Sequence, residues 1–203
     1  MPTETSIAAA VYGAMATAGS QSLSIDPMIV SGARTGWGTH LAYSTRAIVE
    51  GAPVFLEVSG THHRYNAPAM RTGVIGAPRA AVQSLASACV ETVELLLGAL
   101  RPGRTGNEIA VEVKGPLNSV DGAWFHGGYG YSVGLGVQPT WTEAPMYIAE
   151  GSEREVLPGM AFHLAICSMV PGSHGVGFSE TVVITDSGCE CLTPHEGFEL
   201  TRG

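Results

Sequence analysis

Charge is scarce in this chain. Only 14% of its 203 residues are Asp, Glu, Lys or Arg, a low share for a domain that meets water on every side. The shortage is sharpest on the basic side: 10 Lys and Arg stand against 18 Asp and Glu, a formal net charge of -8. No basic cluster is present to neutralise phosphates, which argues against nucleic acid and anionic membranes as partners. With 45% hydrophobic residues the chain is not disordered, and its sparsely charged surface implies a covered face, so a homodimer is expected. Cysteine is thin as well. Cys89, Cys167, Cys189 and Cys191 form no C-x-x-C pair, and no nearby ligand completes a zinc set. Buried reduced thiols are the expectation. The N-terminus lacks a basic segment followed by an apolar run. No uninterrupted apolar stretch approaches the ~18 residues of a membrane span. A cytoplasmic protein with no membrane partner is the expectation.

The length suits one domain over residues 1–203, large enough to bury a substantial core. Apolar spacing predicts a helix over Thr3–Ala18, capped by Thr3 or Thr5, and a longer one over Pro78–Leu100. Thr105 and Glu108 form a capping box for a third, running from Asn107 to about Leu117. Short apolar runs predict strands at Met28–Ser31, Pro53–Val58 and Tyr65–Ile75. Further strands are predicted at Tyr129–Val137, Met160–Val170, Gly177–Thr185 and Glu190–Leu192. The order of elements suggests an α+β fold, a curved antiparallel sheet with helices on one side.

Glu57 interrupts the apolar strand Val54-Phe55-Leu56-Glu57-Val58. A carboxylate there needs a reason, because burying an unpaired charge is costly. It either faces solvent at a strand edge, pairs with Arg64 or Arg71, or sits in a cleft as nucleophile, base or cation receptor. His40, in a Gly-, Thr- and Ser-rich segment, has the intrinsic pKa of a proton shuttle. Trp124, Trp141, Tyr129 and Tyr131 could line an aromatic wall suited to a delocalised cation. His62, His63, His126 and His174 lie in separate turn-rich segments without a matched carboxylate set, so no metal site is expected of them.

Several segments in order resemble one superfamily. Ser31-Gly32-Ala33-Arg34 leads to His40; Glu57 leads to Arg71-Thr72; then come Arg101-Pro102-Gly103, Gly130-Tyr131-Ser132-Val133-Gly134, Leu157-Pro158-Gly159-Met160 and Glu180-Thr181-Val182-Val183-Ile184-Thr185. Together they resemble the pita-bread enzymes: methionine aminopeptidases, prolidases, creatinases and ectoine hydrolases. The resemblance implies the pita-bread fold. Its peptidase members hold two metal ions with two Asp, one His and two Glu. At the matching positions this chain has Glu57, Pro68, Tyr131, Ala165 and Ser179. One carboxylate cannot hold two divalent ions, so no metal and no cofactor are expected.

The run Arg64-Tyr65-Asn66-Ala67-Pro68-Ala69-Met70-Arg71-Thr72, the turn Gly130–Leu135, Pro139-x-Trp141-x-Glu143 and Phe162-His163 look most like the metal-independent ectoine hydrolase branch. That resemblance implies hydrolysis of a C–N bond in a small cyclic amidine or similar solute. Glu57 would be the nucleophile, His40 the proton shuttle, and Tyr131 a hydroxyl at the old metal site. Tyr65, Arg71, Tyr129, Trp141, Glu143 and Glu180 are the expected substrate contacts. A Xaa-Pro metallopeptidase with unusual ligands and an inactive binding or dimerisation module are the alternatives. Two-domain relatives carry an upstream domain, which this chain is expected to lack.

Overall fold

The structure, a computed structural model, describes residues 1–193 and 201–202. Thr3 opens the first helix, α1 (Glu4–Thr17), through a reciprocal capping box with Ser6, which satisfies two of the free N–H groups of a helix start. Strand β1 (Met28–Ser31) follows, then a 3-10 turn (Gly32–Gly36), β2 (Pro53–His62), β3 (Tyr65–Val74) and the long helix α2 (Ala80–Ala99). Helices α3 (Gly106–Val113) and α4 (Gly115–Asn118) come next. The remaining strands are β4 (Gly128–Val137), β5 (Thr140–Ala149), β6 (Ala161–Val170), β7 (His174–Ile184), β8 (Cys189–Cys191) and β9 (Thr201–Arg202).

Among the described residues the strands form one sheet in the order β1-β2-β3-β4-β6-β7-β8, with β5 added on β4 and β9 on β3. Every pairing is antiparallel except β3 with β9. The α+β architecture with an antiparallel sheet is therefore as the sequence implies. The β2–β3 ribbon also lies against β7. Thr72 Oγ1 donates to Gly177 O (3.0 Å) and accepts from Gly177 N–H (2.8 Å), and Thr181 Oγ1 donates to Pro68 O (2.7 Å). Side-chain hydroxyls thus tie two strands that are not ladder neighbours.

Helix α2 packs on β6 and β7, and α3 on β5. Leu85, Cys89, Val93 and Leu96 of α2 are buried with Phe162, Leu164, Ile166 and Phe178 of the sheet. By length and composition α2 could cross a membrane, but its apolar face forms this core. Elsewhere the structure departs from the sequence reading. The predicted helix ending near Leu117 breaks at Lys114, because Pro116 sits in the first turn of α4 and supplies no N–H to continue the ladder. Strand β2 runs on to His62 and turns directly into β3, with His63 and Arg64 at φ 49° and 69°. No Asn-Gly signal announces that hairpin. Strand β5 was not expected at all; Pro139 and Pro145 break up its pattern.

Candidate active site

Strand β2 buries alternate residues, so Pro53, Phe55, Glu57, Ser59 and Thr61 share its inner face. Glu57 is 1% exposed and faces Met70 across the β2–β3 ladder. Neither a solvent position nor a pairing with Arg64 or Arg71 is realised. The partner is His40, whose Nε2 lies 3.1 Å from Glu57 Oε2. Among the described residues no other donor reaches Oε2, and hydrogen bonding between Glu57 and His40 outweighs their charge attraction. The Glu57 carboxylate holds the His40 imidazole above its ordinary range. Burial pushes the Glu57 carboxyl up, and His40 opposes that rise.

His40 is placed by a segment with little regular structure, and a second buried carboxylate fixes that segment. Glu4 of α1 is fully buried. It accepts from Ser31 N–H (2.8 Å) and Oγ (2.7 Å), and from Ser44 N–H (2.8 Å) and Oγ (2.7 Å). Arg34 completes the cluster as its ion-pair partner. Both ends of the stretch carrying His40 are thereby tied to one point. Thr35 Oγ1 accepts from Gly175 N–H (2.7 Å), which docks the 3-10 turn on β7.

Beside the dyad lies a cavity of about 230 Å³ bounded by His40, Met70, His126, Tyr131, Ala165 and Cys167, among others. A wider hollow of about 580 Å³ is bounded by Asp26, Met28, His40, Tyr43 and Pro139, among others. His40 is common to both, with half of its side chain exposed. On the far wall a chain of hydrogen bonds crosses five strands. Trp141 Nε1 donates to Tyr131 Oη (2.9 Å), His163 Nδ1 lies 2.8 Å from the same oxygen, and His163 Nε2 lies 2.6 Å from Ser179 Oγ. Ser179 Oγ accepts from Met70 N–H (2.6 Å). Burial pushes His163 down to about 3 and raises the Tyr131 phenol.

These contacts occupy the positions where a two-metal site would need ligands. Ala165 and Pro68 offer no side-chain donor, and Tyr131 and Ser179 are engaged with His163. Glu57 is engaged with His40. Among the described residues no three His, Cys, Asp or Glu side chains gather as a metal site. The donor set does not fit a pair of divalent ions.

The other expected contacts are scattered. Arg71 donates to Glu180 Oε1 (2.6 Å) and to the carbonyls of Met70 and Ser179. Glu180, fully buried, also accepts from Thr193; the pair braces β3 against β7. Tyr129 is 4% exposed and packs with its ring tilted against Phe125 inside the core, so it does not contribute to a wall of the cavity. Tyr65 is 61% exposed at the β2–β3 turn. Glu143 lies half-buried against Gly134. Trp141 is buried behind Tyr131, and Trp124 is half-exposed beside His126. The aromatic wall is therefore Tyr131, Tyr147 and the two imidazoles of His40 and His126.

His126, His163 and Cys167 are site neighbours that the sequence reading did not single out for this role. His163 sits on an apolar strand, and its only signal is that polarity within Phe162-His163-Leu164-Ala165-Ile166. His126 had been grouped with His62, His63 and His174. His62 and His63 instead meet edge to face at the hairpin tip.

The model of metallopeptidase family M24 matches residues 1–186. Ectoine hydrolase from Halomonas elongata is 31% identical over 174 residues, 83% of this chain and 42% of that protein. The crystal structure of dipeptidase PepE from Mycobacterium ulcerans superposes with a TM-score of 0.87 at 26% identity, over 98% of this chain and 52% of that one. The Xaa-Pro dipeptidase from Bacillus anthracis gives 0.90 at 24% identity, over 100% of this chain and 55% of that one. The chain thus spans about half the length of these relatives.

Proposed function

The chain belongs to metallopeptidase family M24, a family of pita-bread hydrolases, and from that premise we propose that it is a metal-independent hydrolase of C–N bonds in a compact cyclic amidine. The observation that carries this reading is the Glu57–His40 pair at 3.1 Å, standing beside a wall whose other ligand positions have become Tyr131, Ala165 and Ser179. The cavity of about 230 Å³ lies below the roughly 300–1,000 Å³ of drug-sized pockets, which suits a small solute better than a dipeptide. The likeness to an ectoine hydrolase at 31% identity points to the same class of substrate.

The proposed chemistry runs through His40. Its half-exposed ring opens on both hollows, whereas Glu57 is 1% exposed. Glu57 therefore serves better as the group that orients and charges His40 than as a nucleophile that must reach the reacting carbon. Neutral His40 takes a proton from water as the water oxygen bonds to the amidine carbon. The resulting imidazolium, held by Glu57, returns the proton to the leaving nitrogen as the C–N bond breaks. Low local polarity strengthens the attraction between imidazolium and carboxylate.

Incubating the purified chain with ectoine and, separately, with Xaa-Pro dipeptides tests the reading by product analysis. Ring opening of ectoine with no dipeptide cleavage is expected; cleavage of the dipeptides alone contradicts it. A single turnover in ¹⁸O-water separates the two roles of Glu57. Label in the product and none in the Glu57 carboxylate is expected, while label in Glu57 restores it as nucleophile.

A further inference from the structure

The wider hollow of about 580 Å³ adjoins the inner cavity through His40, which lines both. Its walls come from three parts of the chain: the loop before β1, the segment that follows His40, and the β4–β5 turn. Each part is tied down. Ser24, 3% exposed, donates through Oγ to Gly136 O (3.1 Å), which joins the loop to the end of β4. Arg34 donates to Ala42 O (2.9 Å) and so holds the segment after His40. Tyr12 Oη, on α1, donates to Asp26 Oδ1 (2.8 Å). The fold itself therefore keeps the hollow in shape.

The charge on this wall is of one sign. Among the described residues Asp26 is the one Asp, Glu, Lys or Arg that lines it. No Lys or Arg pairs with Asp26: Arg34, Arg71, Arg104 and Lys114 form their ion pairs with Glu4, Glu180, Glu112 and Glu150. Tyr12 is its one hydrogen-bond donor among the described residues. Burial and the Asp26 contact push the Tyr12 phenol up, so Tyr12 stays neutral and leaves the carboxylate its charge. His40 adds no net positive charge, because Glu57 at 3.1 Å answers any charge on its ring. Tyr43, 36% exposed, adds an aromatic ring, and Met28 and Leu41 add apolar surface. A carboxylate without a counter-ion, an aromatic ring and apolar surface around one hollow favour an organic cation.

We propose that this hollow is the capture site for the substrate's positive charge, with Asp26 as counter-charge and Tyr43 as its aromatic partner. The proposal rests on the hydrolase reading above and deepens it. An amidinium is drawn to Asp26 in the outer hollow and then passes His40 into the inner cavity, where the C–N bond is cleaved. Asp26 and Tyr43 thus determine which molecules are taken up, and the chemistry stays with His40 and Glu57. Neutral amides of the same shape gain nothing from the Asp26 charge and are disfavoured.

The test uses the intact chain and needs no turnover, so its failure is distinct from failure of the hydrolase reading. Guanidinium and urea share a planar shape and differ in charge. Each is titrated at millimolar concentration, with ionic strength balanced, against the His40 resonances of ¹⁵N-histidine-labelled chain. Guanidinium is expected to bind more tightly than urea, by about fivefold, the weight of an exposed charge pair, and added salt is expected to shrink that preference. Asp26→Asn keeps the shape and is expected to remove the preference, while Asp26→Glu keeps the charge and is expected to retain it. Urea binding as tight as guanidinium overturns the proposal. So does an absence of guanidinium binding, or unchanged guanidinium affinity in Asp26→Asn. A preference that survives Asp26→Asn and is lost in Glu57→Gln places the cation at the dyad and overturns it as well.

Discussion

Glu57 and His40 hold each other's charge, and that coupling gives the pair a measurable pH signature. The raised imidazole must lose its proton before it can act as base, so activity rises with pH through a pKa above the ordinary 6.5 of His40. Glu57→Gln removes the carboxylate that raises it. The limb is expected to move to lower pH while turnover falls by about 10² to 10⁴, the usual weight of a positioned acid–base group. A pH–rate profile of kcat/KM reads both; a limb that stays in place separates Glu57 from His40. Glu4 makes the opposite case. Burial pushes its carboxyl up, but the hydroxyl and N–H donors of Ser44 and Ser31 outweigh that and hold it below 4.5. The folded value lies under the unfolded one. The stability Glu4 contributes is therefore fully present above pH about 4.5 and is lost as pH falls through the folded value. Glu4→Gln leaves Arg34 and four donors facing a neutral group, and is expected to cost about 3 kcal/mol at pH 7. Urea unfolding at pH 7 and at pH 4 checks this through a penalty that shrinks in acid.

At the scale of elements, the segment carrying His40 is seated on β7 through backbone contacts that leave no space. A Cβ added at Gly175 would stand 2.3 Å from the carbonyl oxygen of Thr35. Backbone cannot rotate aside as a side chain does, so Gly175→Ala is expected to destabilise by about 3 kcal/mol and to loosen His40. Thermal unfolding with His40 resonances as a second readout checks it, and an unchanged midpoint contradicts the seating. How much of this was legible in the sequence depends on where the cause lies. The capping box at Thr105 and the apolar stripe of α2 are local, and they stand in the structure as read; of the two caps open for α1, the structure uses Thr3. Glu57 and His40 were legible as residues out of keeping with their segments. Their contact was not, because it joins a loop to a strand. Strand β5 is hidden in the sequence because its prolines mask the alternation, and with it the place of Trp141 behind Tyr131. His163 went unread because one polar residue on a buried strand says nothing of its partners, which come from β4 and β7.

On the scale of the whole molecule, exposed apolar side chains collect along one rim of the sheet, where β3 begins and β4 ends. Tyr65 (61% exposed) pairs in register with Leu135 (56%), and Val137 (53%) follows on the same strand. We propose that a second copy covers this rim. Light scattering at micromolar concentration is expected to give twice the chain mass of 21.0 kDa, and Leu135→Lys is expected to shift it toward the monomer. A monomer in the wild type contradicts the pairing. The proposed activity belongs to the whole site: a carboxylate–imidazole pair stands where the side chains present do not fit a pair of divalent ions. The most direct measurement is ectoine turnover by the chain after exhaustive chelation, repeated after adding back manganese, cobalt or zinc, with elemental analysis of each sample. Turnover that persists without metal and is not raised by any ion is the expected result. Activity that vanishes on chelation and returns with about two bound ions per chain, as in two-metal sites, would contradict the account.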